Sequence, residues 1–174
     1  GETKAHDFLN VGSMGHASSV ALGIALEKTE RKVVALDGDS ACMMHMGAMT
    51  MVSKLDAPNF MHVVLNNGSH ESVGGQPSAG HKVDFTKIAE ACDYATVGHP
   101  VTTEVELVEA LEVLRDCGKA SFIDCRIHKG LSRKLPPVIF DHREVIDALI
   151  DDLNESRIIM DNKTKFRINR KKGI

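Results

Sequence analysis

The chain has 174 residues, 43% of them hydrophobic, enough for one domain with a sizeable core. Its formal charge of −3 gives no global argument for nucleic acid or a membrane surface, and no stretch approaches the ~20 apolar residues of a membrane span. Trp is absent and Tyr94 is the sole tyrosine, which argues against base stacking as the main function. Cys42, Cys92, Cys117 and Cys125 lie far apart inside apolar segments, with no C-x-x-C pair. They read as reduced, buried thiols. With no basic-then-apolar leader visible, a cytoplasmic protein is expected.

Apolar periodicity predicts alternating elements. Gly15 to Lys28 carries Ala17, Val20, Ala21, Ile24 and Ala25 at helical spacing. Val33 to Asp37 reads as a strand, Ala41 to Lys54 as a methionine-rich helix, and Phe60 to Leu65 as a second strand. Phe85 to Cys92 follows as a helix with Asp84 as N-cap, then a short strand from Tyr94 to Val97. Thr103 and Glu106 have capping-box spacing and open a helix that runs to Cys117, where Gly118 stops it. Ser121 to Ile127 is a further strand. This β-α-β-α-β-α-β order predicts an α/β fold, a parallel sheet with helices on both faces. Pro136-Pro137 then breaks the chain. Asp141 and Glu144 cap a helix whose apolar stripe is Val145, Ala148, Leu149 and Leu153. Residues 1–138 are expected to form the main domain. Residues 139–174 are expected to append a helix and a basic tail, with Lys163, Lys165, Arg167, Arg170, Lys171 and Lys172 solvated rather than bound to nucleic acid.

Two turns carry the chemistry. Gly38-Asp39-Ser40 closes the run Val33 to Leu36, and Asn66-Asn67-Gly68 closes the run Met61 to Leu65, with 28 positions from Asp39 to Asn67. If the two runs are neighbouring parallel strands, a carboxylate and a carboxamide sit together at their carboxyl ends, where open α/β sheets bind ligands. Such an oxygen pair suits a hard cation such as Mg²⁺, completed by water and a ligand phosphate. Ser40 and Ala41 begin a helix whose free N–H groups can face a diphosphate. Gly38-Asp39-Ser40 taken alone reads more readily as a plain strand-to-helix turn with an N-cap; the second turn, at this interval and after a strand, reverses that reading.

These residues resemble the diphosphate-binding motif of thiamine diphosphate enzymes. The resemblance implies thiamine diphosphate and Mg²⁺ as cofactors, with Asp39, Asn67 and the Ser69 carbonyl as metal ligands. It also implies Gly38, Ser40 and Ala41 as cofactor contacts. Ser40 stands where that family usually has glycine, a mild departure if its φ is negative. Asn10-Val11-Gly12-Ser13-Met14-Gly15-His16 resembles the segment that holds the aminopyrimidine. By that likeness Gly12 and Met14 supply a carbonyl and an N–H to the ring, Ser13 lies between them, and the Met14 side chain is the wedge that bends the cofactor.

The stretch Gly68-Ser69-His70-Glu71-Ser72-Val73-Gly74-Gly75-Gln76-Pro77-Ser78 is similar to that of phosphonopyruvate decarboxylases, as are Asp7 to Leu9, Gly12 to Ser19 and Met44 to Gly47. The implied reaction is decarboxylation of 3-phosphonopyruvate, a small 2-ketoacid, to phosphonoacetaldehyde and CO₂. The β subunit of sulfopyruvate decarboxylase has a similar plan and is the alternative; a degenerate, non-catalytic partner-binding domain is a third. His70 is the candidate catalytic residue, able to meet a phosphonate or pass a proton, and equally able to hold the loop. Glu71 reads as structural. Gln76, Ser78, His81 and Lys82 are secondary candidates for contact with anionic oxygens, and His16 and His45 read as ordinary helix histidines. A pyrimidine-binding domain of ~150 residues is also implied, and 174 residues leave no room for it. A partner domain or subunit, and a homo- or hetero-oligomer, are therefore expected.

Overall fold

A computed structural model describes residues 6–130 and 141–164, the side chains of 155–164 excepted. Three strands form a parallel sheet in the order β1 (Val33–Gly38), β2 (Phe60–Asn66), β5 (Ser121–Arg126). Between β2 and β5 in the chain, β3 (Ser69–His70) and β4 (Gln76–Pro77) pair as a small antiparallel ribbon. β2 is central and nearly buried throughout, so it reads as a continuous apolar run; β1 alternates because part of one face is open at Val34 and Leu36. The register runs from Val33 opposite Phe60 to Gly38 opposite Leu65, so the two strands end level.

Helices cover both faces, as expected. α1 (Ala17–Glu27) and α3 (Phe85–Ala91) pack with Ala35, Phe60, Val64 and Phe122 on one side. On the other, α4 (Glu104–Arg115) packs Ala110 and Leu114 on Met61, Val63, Ile123 and Cys125. The Asp84 side chain caps α3 by accepting from the Lys87 N–H. The Thr103/Glu106 capping box of α4 is complete, and N–H donors from Thr102 and Thr103 hold the Glu106 carboxyl below its usual range.

Three expectations need correction. The methionine-rich helix is not one α-helix: α2 spans only Asp39–Met44, and a 3-10 segment follows over Met46–Ser53. His45 leaves helical geometry at φ −131, ψ 37. Beyond it Met46, Met49 and Val52 reach the core at every third position, the 3-10 period, while the Thr50 and Ser53 hydroxyls bond carbonyls three residues back. The strand expected at Tyr94–Val97 is reduced to a single bridge from Ala95 to Ser121, with another from Val101 to Cys125. Gly98, at φ +80, and Pro100, which lacks an N–H donor, interrupt the ladder between them. Finally, the cysteines are not uniformly buried: Cys42 and Cys125 are, Cys92 is half-buried and Cys117 is exposed just beyond α4.

Clustering of the chain separates two compact units, Val11–Lys134 and a second formed from Gly1–Asn10 with Leu135–Ile174. In the second, α5 (His142–Thr164) is capped by Asp141, whose carboxylate accepts from the Arg143 N–H at 2.7 Å, and His6 lies 3.0 Å from Asp152. Val145, Leu149 and Leu153 are half-buried, whereas Ala148 of the expected stripe is exposed. Pro136-Pro137 and the basic residues from Lys165 onward lie outside the described residues, as does the Lys163 side chain. No described helix is long and apolar enough to cross a membrane.

Burial, reinforced by the charge of Asp37, pushes the Cys42 thiol up to about 12. Alkylation of the folded protein at neutral pH should therefore label Cys117 first and leave Cys42 unlabelled until denaturant is added. Mass spectrometry of labelled peptides reads the order, and rapid labelling of Cys42 in native buffer would contradict the fold described.

Candidate functional site at the carboxyl ends of β1 and β2

Gly38 stays extended at φ −78, ψ 159 and acts as N-cap, so Asp39 is the first residue of α2, two positions earlier than the helix start expected from the sequence. Asp39, Ser40 and Ala41 are buried. Ser40 is helical; among the described residues only Ser13 and Asp93 are non-glycine positions with positive φ, so a serine here carries no backbone strain. At the end of β2, Asn67 Oδ1 accepts from the Ser69 N–H at 3.0 Å and closes a turn in which Gly68 has φ +64. The His81 ring lies on that glycine; a Cβ would come within 2.8 Å of it.

The chain then doubles back. β3 and β4 pair across Gly74 and Gly75, both at positive φ, and the Ser78 N–H donates to the Gly68 carbonyl at 3.0 Å. This brings Ser78 to Asp39: its hydroxyl donates to Asp39 Oδ2 and accepts from the Gly80 N–H at 3.1 Å. Gly80 sits so close to Asp39 and Asn66 that a Cβ would collide with Asp39 Oδ2 and come within 2.6 Å of Asn66 Oδ1. The glycine segment preceding α1 meets the same region. Gly12, Ser13 and Gly15 all have positive φ, and Gly15 packs so closely that a Cβ would lie 2.5 Å from the Ala41 carbonyl. Met14 is 44% exposed. The structure thus brings Gly12–Met14, Gly38–Ala41 and the Asn67–Ser69 turn to one end of the sheet.

The electrostatics of this end are unbalanced. Asp39 is 2% exposed, and among the described residues no cation pairs with it. A buried carboxylate in that state is costly. Asn66 Oδ1, which meets Gly80 as Asp39 Oδ2 does, and Ser40 Oγ and Ser69 Oγ in the two turns are buried with no hydrogen-bond partner among the described residues. One carboxylate among unpartnered neutral oxygens is the donor set of a hard, oxygen-seeking cation. No three His, Cys, Asp or Glu side chains among the described residues form a metal cluster, so a cation here would draw on amide and backbone oxygens beside Asp39. The residues present fit Mg²⁺ and a phosphorylated ligand.

Other candidates fall elsewhere. His70 is half-buried and has no side-chain hydrogen bond among the described residues. Glu71 accepts from the Gly130 N–H at 3.0 Å, the structural role expected of it. His16 and His45 are not independent, since their rings lie 3.9 Å apart. Sequence reasoning missed a buried polar layer beneath the site. His62 Nε2 lies 3.0 Å from Asp37 Oδ2, and Asp124 is held between Asn66 and Arg126. The available signal was an aspartate inside each of two apolar strands, which marks an internal partner without identifying it.

Residues 2–125 match the family described as thiamine pyrophosphate enzyme, C-terminal TPP binding domain. The chain is 42% identical over 104 residues to a phosphonopyruvate decarboxylase of Streptomyces viridochromogenes, an alignment covering 60% of this chain and 26% of that protein. It is 34% identical over 146 residues to the sulfopyruvate decarboxylase subunit beta of Methanothermobacter thermautotrophicus, covering 84% of this chain and 75% of that subunit. The chain therefore spans about a quarter of the first of these relatives. Among solved structures, the Rhodococcus jostii RHA1 thiamine diphosphate-dependent 4-hydroxybenzoylformate decarboxylase superposes with a TM-score of 0.57 at 19% identity, over 68% of this chain and 24% of that one; it bears out the fold.

The tight seat of Gly80 gives a direct test of the site's packing. Gly80→Ala should cost about 1–3 kcal/mol, the usual penalty of overpacking, because Asp39 Oδ2 is held by Ser78 and the Asn66 amide is held through its nitrogen. Urea unfolding measures it; an unchanged midpoint would mean that the 78–80 segment does not rest on Asp39.

Proposed function

Because this chain belongs to the thiamine pyrophosphate enzymes and carries their C-terminal cofactor-binding domain, we propose that it is the Mg²⁺- and diphosphate-holding part of a 2-ketoacid decarboxylase, with 3-phosphonopyruvate as its substrate. The observation that carries the metal assignment is Asp39, a buried carboxylate with no cationic partner among the described residues, beside unpartnered oxygens at the end of a parallel strand pair. Bound thiamine diphosphate supplies the electron sink on which a 2-ketoacid can lose CO₂.

The chain's own residues hold and orient. Asp39, the Asn67 amide oxygen and the Ser69 carbonyl are the proposed Mg²⁺ ligands. Asn67 Oδ1 keeps a second lone pair after accepting from Ser69, so it remains available. Gly38, Ser40 and Ala41 line the diphosphate side. Gly12, Ser13 and Met14 face the aminopyrimidine, where the exposed Met14 side chain offers an apolar wedge. His70, three residues beyond Asn67 and with no side-chain hydrogen bond among the described residues, is the proposed group to meet the substrate's anionic end or to move a proton. A pyrimidine-binding domain, from a partner subunit or from elsewhere in a longer chain, completes the site in a cytoplasmic oligomer.

Sulfopyruvate is the second reading, favoured by the 75% coverage of a sulfopyruvate decarboxylase β subunit. A phosphonate can carry a second negative charge and a sulfonate cannot. The ratio of kcat/KM for phosphonopyruvate and sulfopyruvate above the second phosphonate pKa, in the protein joined to its pyrimidine-binding partner, separates the two.

Calorimetric titration with thiamine diphosphate should show binding that requires Mg²⁺, is abolished by EDTA and is lost in Asp39→Ala. Equal affinity of Asp39→Ala and the parent for Mg²⁺–thiamine diphosphate would sink the assignment. The chain alone, without a pyrimidine-binding domain, should show little or no 2-ketoacid decarboxylation in a CO₂-release assay.

A further inference from the structure

Asn66 stands beside the proposed ligand Asn67 and is itself fully buried at the last position of β2, opposite Arg126 in register. Its amide has one possible orientation. Nδ2 donates to the Gly80 carbonyl at 2.9 Å and to Asp124 Oδ1 at 3.1 Å. A backbone carbonyl can only accept, so the nitrogen must face it and the oxygen must face away. That oxygen has no hydrogen-bond partner and lies against Gly80.

Asp124 is 1% exposed, and its other oxygen is held by Arg126, with Nη2 at 3.1 Å and Nε at 3.2 Å. From Gly80 the connection continues through its N–H to the Ser78 hydroxyl, and from that hydroxyl to Asp39 Oδ2. One unbroken line of polar contacts therefore runs from Arg126 at the edge of the site, through Asp124, Asn66, Gly80 and Ser78, to the carboxylate of Asp39.

We infer that Asn66 and Asp124, braced by Arg126, are positioning residues that clamp the Ser78–Gly80 segment onto Asp39 and so fix the direction in which its carboxylate faces the metal. The inference rests on the reading of Asp39 as a Mg²⁺ ligand. A carboxylate on a short side chain rotates unless both oxygens are assigned. The Ser78 hydroxyl takes Oδ2, which leaves Oδ1 for another ligand. A buried aspartate paired with one arginine gains little stability over an apolar pair, because desolvation offsets the attraction. A line of contacts that ends on a functional carboxylate has a different use: outer-shell partners of metal ligands set affinity by orientation.

The test compares the full chain with Asp124→Asn, Ser78→Ala and Asp39→Ala. Mn²⁺ is the probe, titrated in the presence of thiamine diphosphate and followed by electron paramagnetic resonance. Hydrogen exchange of residues 76–82 and the melting temperature are recorded without cofactor. Asp124→Asn should weaken Mn²⁺ binding by roughly 10–100-fold, the usual effect of losing an outer-shell partner, and should speed exchange across 78–82. Ser78→Ala, a milder change that keeps the sheet intact, should move Mn²⁺ affinity in the same direction and serves if Asp124→Asn does not fold. A purely structural role would lower the melting temperature without changing Mn²⁺ affinity in the folded variants, and that result overturns the inference. If the parent holds Mn²⁺ no better than Asp39→Ala, the metal reading itself falls and takes the inference with it.

Discussion

The level ending of β1 and β2 is the constraint on which the rest of the molecule depends. Parallel pairing in the register Val33–Phe60 places Gly38 beside Leu65, so that the two turns leave the sheet together. A slip of one residue would reverse every side chain of β1 and move Asp37 and the turn after it to the wrong face. The register is specified because β2 is buried on both faces and cannot be shifted without exposing Phe60 or Val64. Hydrophobic packing of the strand interior thus sets the position of polar groups at the strand ends.

Those polar groups carry a large electrostatic cost. Asp37, Asp39 and Asp124 are all at most 5% exposed at one end of the sheet, and burial raises the Asp124 carboxyl above its ordinary value. Each has a different remedy. Asp37 has His62, Asp124 has Arg126 and the Asn66 amide, and Asp39 has, among the described residues, only the Ser78 hydroxyl. The carboxylate with no cation beside it among the described residues is the one in the turn after β1. The three buried charges thus differ in partner rather than in depth: the chain supplies a ring or a guanidinium to two of them, and only a hydroxyl, among the described residues, to the third.

The chain carries the C-terminal cofactor-binding domain of the thiamine pyrophosphate enzymes, and the proposed function has a pyrimidine-binding domain complete its site. The geometry suits that division. The Gly12–Met14 segment presents backbone at positive φ and an exposed methionine, as the proposed contact with an aminopyrimidine needs. Ser78, just after the antiparallel β3–β4 ribbon, by contrast bonds to the Asp39 carboxylate.

The sequence by itself determined the α/β order, the helix caps at Asp84 and Thr103, and the two turns that close β1 and β2, because each is written in local periodicity or in a short interval. It also carried the resemblance that named the cofactor. What it did not determine are the features that depend on contacts across the chain. The break of the methionine-rich helix at His45 follows from a three-residue core spacing that local propensity does not weigh. The exposure of Cys117 depends on where α4 stops relative to the sheet. Ser78 was one of several loop candidates until the β3–β4 ribbon placed its hydroxyl on Asp39. Asp124 and Arg126, 58 and 60 positions beyond Asn66, became part of the site only when β5 paired with β2. Hydrogen bonds between residues so far apart leave no periodic trace in a sequence. Only the tertiary structure, by bringing the strands into register, could decide which buried aspartates have a ring or guanidinium partner and which has no cation beside it among the described residues.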